Sequence, residues 1–206
     1  ACAGAMLTLF HHPMSTASRF VRLGLSEYDV EFDLVEEKPW SRRPEFLALN
    51  PAGTLPVMVA EREHKLSGAM VIAEYLDETR GAFKRERRHL VRERIFKLLM
   101  TAEEGGGAPD SASMRAARAN VRQHMKYLNW LSGTRDWIAG TRFSFADLAA
   151  AAAISVLDYM GEVSWKEADA ARDWYIRVKS RPSMRPLLAD RVRGITPASH
   201  YPDLDF

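Results

Sequence analysis

Asn50-Pro51-Ala52-Gly53-Thr54-Leu55-Pro56-Val57-Met58-Val59 decides the fold. Asn50 to Gly53 is turn chemistry: Pro51 fixes φ, Gly53 tolerates φ > 0, and Asn50 caps a preceding helix. Thr54 to Val59 then reads as a short strand with Pro56 near its start. A proline there gives no N–H to a ladder, so it belongs on a sheet edge or at a cis peptide bond. A cis Leu55-Pro56 bond would turn backbone N–H and C=O groups outward, ready to pair with an extended ligand. The same residues also make a rigid turn that holds nothing, and both readings stand at this point.

Upstream, Met6 to Phe10 has the short, apolar character of a buried strand. After His11-His12-Pro13-Met14, a helix enters at Ser15 or Ser18 and runs to Glu27, with Val21 and Leu25 four apart. Val30 to Val35 alternates as a second strand, Lys38 to Pro44 is a loop, and Glu45 to Asn50 forms a short helix. Downstream, Thr54 to Ala60 and His64-Lys65-Leu66 pair as a hairpin, and Ala69 to Thr79 is helical. The order β-α-β-α-β-β-α is a thioredoxin-like α/β arrangement whose first β-α-β unit is parallel.

From Arg80-Gly81 onward every periodic segment is helical. Helices are expected over Lys84–Leu99, Ser111–Trp130, a segment capped by Ser144 with Asp147 answering the cap, Lys166–Lys179 and Met184–Val192. Glu103 to Asp110 is a helix stop, because it lacks the Gly-Lys-[Ser/Thr] ending of a phosphate loop. The tail Ile195 to Phe206 carries Pro197 and Pro202 without a helical period, so it is expected extended, presenting Asp203 and Asp205 on one side. The division is thus a thioredoxin-like domain over 6–80, an all-helical domain over 84–194 and a tail over 195–206.

The 29 basic and 27 acidic residues leave a net charge of +2, which argues for neither nucleic acid nor a membrane surface as partner. No apolar run reaches the roughly 20 residues of a membrane helix. The lone Cys2 has no partner for an internal disulfide and suits a reducing cytoplasm. No Cys/His set has metal-ligand spacing, so no metal is expected.

Four motifs in order now make a resemblance specific. The Asn50–Val59 stretch, Glu74-Tyr75-Leu76, Phe143-Ser144-Phe145-Ala146-Asp147 and Arg181-Pro182-Ser183 resemble the third strand, third helix, sixth-helix box and last helix of cytosolic glutathione transferases. Ser18 to Leu23 is similar to the family's first helix. The likeness covers Met6 to about Val192, although the link from Arg80 to Lys84 is shorter than the family's usual one.

The resemblance implies a glutathione-transferase fold and a glutathione site at Ser15, Leu55, Pro56, Gly68 and Ala69. Such an enzyme holds its thiolate at a helix N-terminus beside a hydroxyl donor, and Ser15 stands where serine-type members carry it. Ser15 serves equally well as a plain helix cap. Family members grip the γ-glutamyl end with an acidic residue or Gln followed by Ser, where this chain has Gly68 and Ala69. Sliding the register to Ser67 leaves Leu66 at the acidic position. Two lost polar contacts, at roughly 1–3 kcal/mol each, leave glutathione binding weak or absent and no cofactor expected.

Two features look like additions. Trp40 beside Arg42 and Arg43 has the composition of an interaction hot spot, or of a ring folded onto its own domain. The tail closes on Asp203, Asp205 and Phe206, a two-sided strip suited to docking. A transferase fold, a depleted glutathione site and such a tail resemble the family's bacterial cell-division members, which bind the tubulin-like FtsZ as homodimers. The resemblance therefore implies a cytoplasmic, dimeric binding protein with FtsZ filaments as partner. The alternative is an active glutathione transferase using Ser15.

Overall fold

β1 (Leu7–His11) is the central strand, with Leu7, Leu9 and His11 buried as its pleat alternates. In the computed structural model the described residues are 7–60, 64–80, 111–204 and 206. β2 (Phe32–Glu36) pairs with β1 in parallel, as a β-α-β crossover requires. β3 (Val57–Val59) pairs antiparallel with β1, and β4 (Lys65–Ser67) antiparallel with β3, giving the sheet order β2-β1-β3-β4. The expected strands are thus present but displaced: β2 starts two residues later than its alternation suggested, and β3 begins only after Pro56.

Three helices accompany the sheet: α1 (Thr16–Glu27), α2 (Pro44–Leu49) and α3 (Ala69–Arg80). The loop before α2 is wound into a short 3-10 turn over Pro39–Ser41. Past the first part of the chain come α4 (Ser111–Thr134), α5 (Phe145–Tyr159), α6 (Asp169–Lys179) and the short α7 (Arg185–Leu188). The expected helix over 166–179 is split: Trp165–Glu167 is 3-10, and the α-helix begins at Asp169. The last helix stops at Leu188, not Val192; Val192 instead bridges to Ile195 across the bend at Gly194. The expected helix over Lys84–Leu99, the stop at Glu103–Asp110, the Arg80–Lys84 link and the hairpin turn at 61–63 lie outside the described residues.

α1 is the keystone because it is covered on all sides, from Ser18 through Leu25. It packs against α3 and against α5, and its Phe20, Val21, Leu23 and Leu25 share one buried core with Leu7, Leu9 and Met58 of the sheet. Close approach is visible at Gly24, where an added Cβ would already touch the Phe145 and Leu76 side chains. Such burial leaves no room for an unanswered charge. Arg22 therefore forks onto Asp190 through two hydrogen bonds of 2.7 and 2.9 Å. At the end of α1, Glu27 accepts from Arg181 and from Ser183 Oγ. Burial pushes the Glu27 carboxyl up, but these hydrogen bonds outweigh it and leave the pKa lowered.

α5 starts on the expected box: Asp147 accepts from the Ser144 N–H, and Ser144 Oγ accepts from Ala146. Asp147 also accepts from the Ile138 N–H and from Trp174 Nε1, so one buried carboxylate fastens α6 and the preceding loop to the cap.

The tail corrects its sequence reading. The absence of a helical period and the two prolines predict an extended strip. Instead it folds back: the Ala198 N–H donates to the Tyr159 carbonyl at 2.8 Å, and Tyr201 is fully buried beside Met14, Val156 and Tyr159. Two prolines forbid a helix, but they do not forbid docking.

Removing the acid of the buried fork leaves the Arg22 guanidinium uncompensated. Asp190→Ala is expected to cost about 3 kcal/mol of unfolding free energy. Urea denaturation measures it, and a loss below about 1 kcal/mol would place the fork among weak surface pairs.

Candidate functional site

The sheet register gathers the expected site residues at the C-terminal end of β1. Ser15 follows β1 directly, its N–H bonded to the His12 carbonyl at 2.9 Å. Phe10 faces Val57 across the ladder, so Pro56 lies one step further toward the same end. The Gly68 N–H donates to the Pro56 carbonyl at 3.0 Å, which brings Gly68 and Ala69 there as well. The Leu55-Pro56 bond is cis. Among the described residues the Leu55 backbone N–H and C=O make no hydrogen bond.

The turn ahead of this bond is held by its own side chain. Asn50 Nδ2 donates to the Thr54 carbonyl at 2.8 Å and Asn50 Oδ1 accepts from the Ala52 N–H at 3.2 Å. Gly53 stands at φ 65, where a Cβ would also press on Leu47 at 3.3 Å.

Ser15 is buried and caps α1, its Oγ accepting from the Ser18 N–H at 3.1 Å. The hydroxyl thus sits at the positive end of a 12-residue helix. At the expected γ-glutamyl position Gly68 has φ 92 and open space where a side chain would project. Ala69 is the first residue of α3. Neither supplies a polar side-chain group.

Trp40 is half-buried, edge-on to the His12 ring at 5.3 Å, so the ring rests on its own chain and is not fully free. Arg43 forks onto buried Glu37, Nη2 to Oε2 at 2.6 Å. Arg42, at φ 43, is exposed and its Nη1 reaches within 3.9 Å of the space beside Gly53. Of the pair, Arg42 is the one that makes no ion pair among the described residues.

In the tail, Asp203 is exposed and Leu204 is 44 % exposed. Phe206 is not a free docking group: its ring packs on Trp165, Tyr175 and His200. Asp205 lies outside the described residues. The tail and the sheet-end site adjoin, since Tyr201 packs on Met14, the neighbour of Ser15.

Residues 14–79 match the description "Glutathione S-transferase, N-terminal domain", and residues 91–182 match "Glutathione S-transferase, C-terminal domain". FtsZ-localized protein A of Caulobacter vibrioides is 40% identical over 97% of this chain and 98% of that protein. The chain belongs to the glutathione S-transferase family. Among solved structures, a glutathione S-transferase from Sinorhizobium meliloti is 56% identical, covers 98% of this chain and all of its own, and has a TM-score of 0.87. FzlA from C. crescentus is 39% identical over 98% of this chain and all of its own, with a TM-score of 0.88.

Within this transferase fold, several buried polar residues carry no local sequence signal. Among the described residues no cluster of His, Cys, Asp or Glu could hold a metal ion, and no helix is long and apolar enough to cross a membrane. Nothing in the residues around Arg19 and Lys179 marks either cation as buried. Asp158 had a faint signal, as the one acid past the cap of the apolar run from Leu148 to Tyr159. His11 is buried at the end of β1 with its Nδ1 unbonded among the described residues. Burial, and next the Arg22 guanidinium, lower its pKa to about 4, while Asp190 opposes the shift.

The sign for stability follows. Between the ordinary 6.5 and about 4, the unfolded chain takes up a proton that folded His11 refuses. Stability from this group is complete above pH 6.5 and falls as pH drops toward 4, by up to about 3 kcal/mol. His11→Asn should flatten that part of the pH–stability curve relative to wild type. Parallel curves for the two proteins would remove His11 from the acid response.

Proposed function

We propose that this transferase-family chain is a non-catalytic, cytoplasmic, homodimeric protein that binds FtsZ filaments in bacterial cell division. The observation that carries the reading is its 40% identity, over nearly the whole of both chains, to a protein named for its localisation with FtsZ. The site geometry agrees. Gly68 and Ala69 offer no acceptor or hydroxyl to a γ-glutamyl group, and the space at Gly68 is open. Groups suited to a protein partner stand outside instead: Arg42 beside the Gly53 turn, half-buried Trp40, and exposed Asp203 and Leu204. Exposed Met70 and Val71 at the head of α3 supply apolar surface for the dimer contact.

A second reading, an active glutathione transferase, is favoured by one observation. Ser15 Oγ sits at the N-terminus of α1, where a hydroxyl and the helix end together stabilise a thiolate. Calorimetric titration separates the two. With the γ-glutamyl contacts absent, glutathione should give no saturable heat at low-millimolar concentration. Micromolar binding that is lost on Ser15→Ala would establish the enzyme reading.

Filament co-sedimentation tests the partner. Asp203→Lys reverses an exposed charge while keeping the backbone carbonyl that the fold uses, so circular dichroism should be unchanged. If the carboxylate meets basic side chains on FtsZ, binding should weaken several-fold or more. Equal sedimentation of the two folded proteins would remove Asp203 from the contact.

A further inference from the structure

The folded-back tail closes over a buried cation. Lys179, the last residue of α6, is 1% exposed. Its Nζ donates to the Asp203 carbonyl at 2.5 Å and to the His200 carbonyl at 3.3 Å. The Phe206 ring lies 4.1 Å from the ammonium, and the Tyr175 and Tyr201 rings stand at 5.6 and 5.9 Å. Asp158 Oδ2, on α5, faces Nζ at 3.8 Å. Asp158 is itself fully buried, and its Oδ1 accepts from Trp165 Nε1 at 2.9 Å and lies 2.9 Å from His200 Nε2. Both carbonyls and two of the three rings around the ammonium therefore belong to the tail.

Stability is a poor explanation for this arrangement. Burial lowers the Lys179 pKa even though Asp158 and Asp203 oppose the shift, so the ammonium is held at a cost. A buried pair of this kind is commonly replaced by apolar groups of similar volume without loss of stability. What apolar groups cannot do is donate to two particular carbonyls three residues apart. Those two bonds bracket Tyr201 and Pro202, fix the course of the backbone, and leave the Asp203 and Leu204 side chains outside.

We propose that Lys179 is a positioning residue for partner binding, its ammonium holding the tail in the shape that presents Asp203 and Leu204. This rests on the filament-binding reading above. A docking segment ordered before contact loses less conformational freedom on binding and binds more tightly for the same contacts.

The test uses the full chain with Asp158→Asn and Lys179→Met together, which removes both charges and nearly preserves volume. Hydrogen exchange is measured for residues 199–204 and for α5, alongside co-sedimentation with FtsZ filaments. Tail amides should exchange about tenfold faster while α5 keeps its protection. Filament affinity should fall about tenfold. Phe206→Ala provides a second variant that opens the cage from the tail side without touching either helix, and it should loosen the same amides. Unchanged tail exchange in the two variants overturns the proposal. So does equal loss of protection in α5 and the tail, which would make Lys179 a general stabiliser, or a loosened tail with wild-type affinity. If the wild-type chain itself fails to sediment with filaments, the filament reading and the positioning role fall together. The exchange data then still decide whether Lys179 orders the tail.

Discussion

The buried guanidinium of Arg19 is the interaction on which the rest of the structure depends. It is 0% exposed, and a charge so placed must be answered by well-aimed partners or the helix that carries it cannot pack. Its Nε donates to the Pro13 carbonyl at 2.6 Å, and Nη1 donates to Ser155 Oγ at 3.0 Å and Tyr201 Oη at 2.9 Å. Asp190 stands 3.9 Å away as counter-charge. One side chain thus joins the loop entering α1, the middle of α5 and the returning tail. Tyr201 passes the link on, its hydroxyl donating to the Leu187 carbonyl at 3.0 Å. The planar fork matters here, because a lysine in its place would offer a point charge and lose the fixed angles between these partners.

This arrangement explains what was legible in the sequence and what was not. The turn at Asn50, the Ser144 cap and the β-α-β order are local, so residue type and spacing report them directly, whereas at Pro56 they leave a sheet edge and a cis bond both open. The site residues assemble through strand register, which brings Pro56 and Gly68 to the C-terminal end of β1. Arg19, Asp190, Lys179 and Asp158 are different: their partners lie up to 182 residues away, and no periodicity records such a pairing. Arginine and lysine among polar neighbours read as solvated, because the carbonyls and hydroxyls that answer them are invisible in sequence.

The tail shows the same limit from the other side. Pro197 and Pro202 correctly exclude a helix, yet an excluded helix is compatible with a free strand or a docked one. Tyr201 decides between them, since a phenol that finds both a donor and an acceptor can be buried at no unpaired polar cost. Trp40 likewise sits between prolines and cations, a setting that leaves an interaction site and a ring folded onto its own domain both open. His12, displayed at the end of β1, supplies the ring it leans on.

Holding a small peptide and holding a protein surface place opposite demands on one fold. A glutathione site needs polar side chains converging on its ligand, and Gly68 and Ala69, at the positions the resemblance assigns to that contact, supply none. A protein partner needs groups projecting from a rigid rim. Rigidity here comes from the buried ions beneath: Arg19 fixes the approach to Ser15, Glu37 holds Arg43 beside the Trp40 turn, and Lys179 holds the carbonyl of Asp203. Met14 and Tyr201 then pack together and join the two parts of that rim. The interior charges are costly to bury; in the proposed reading they aim the exterior ones, and a surface aimed in advance has less freedom left to lose on binding.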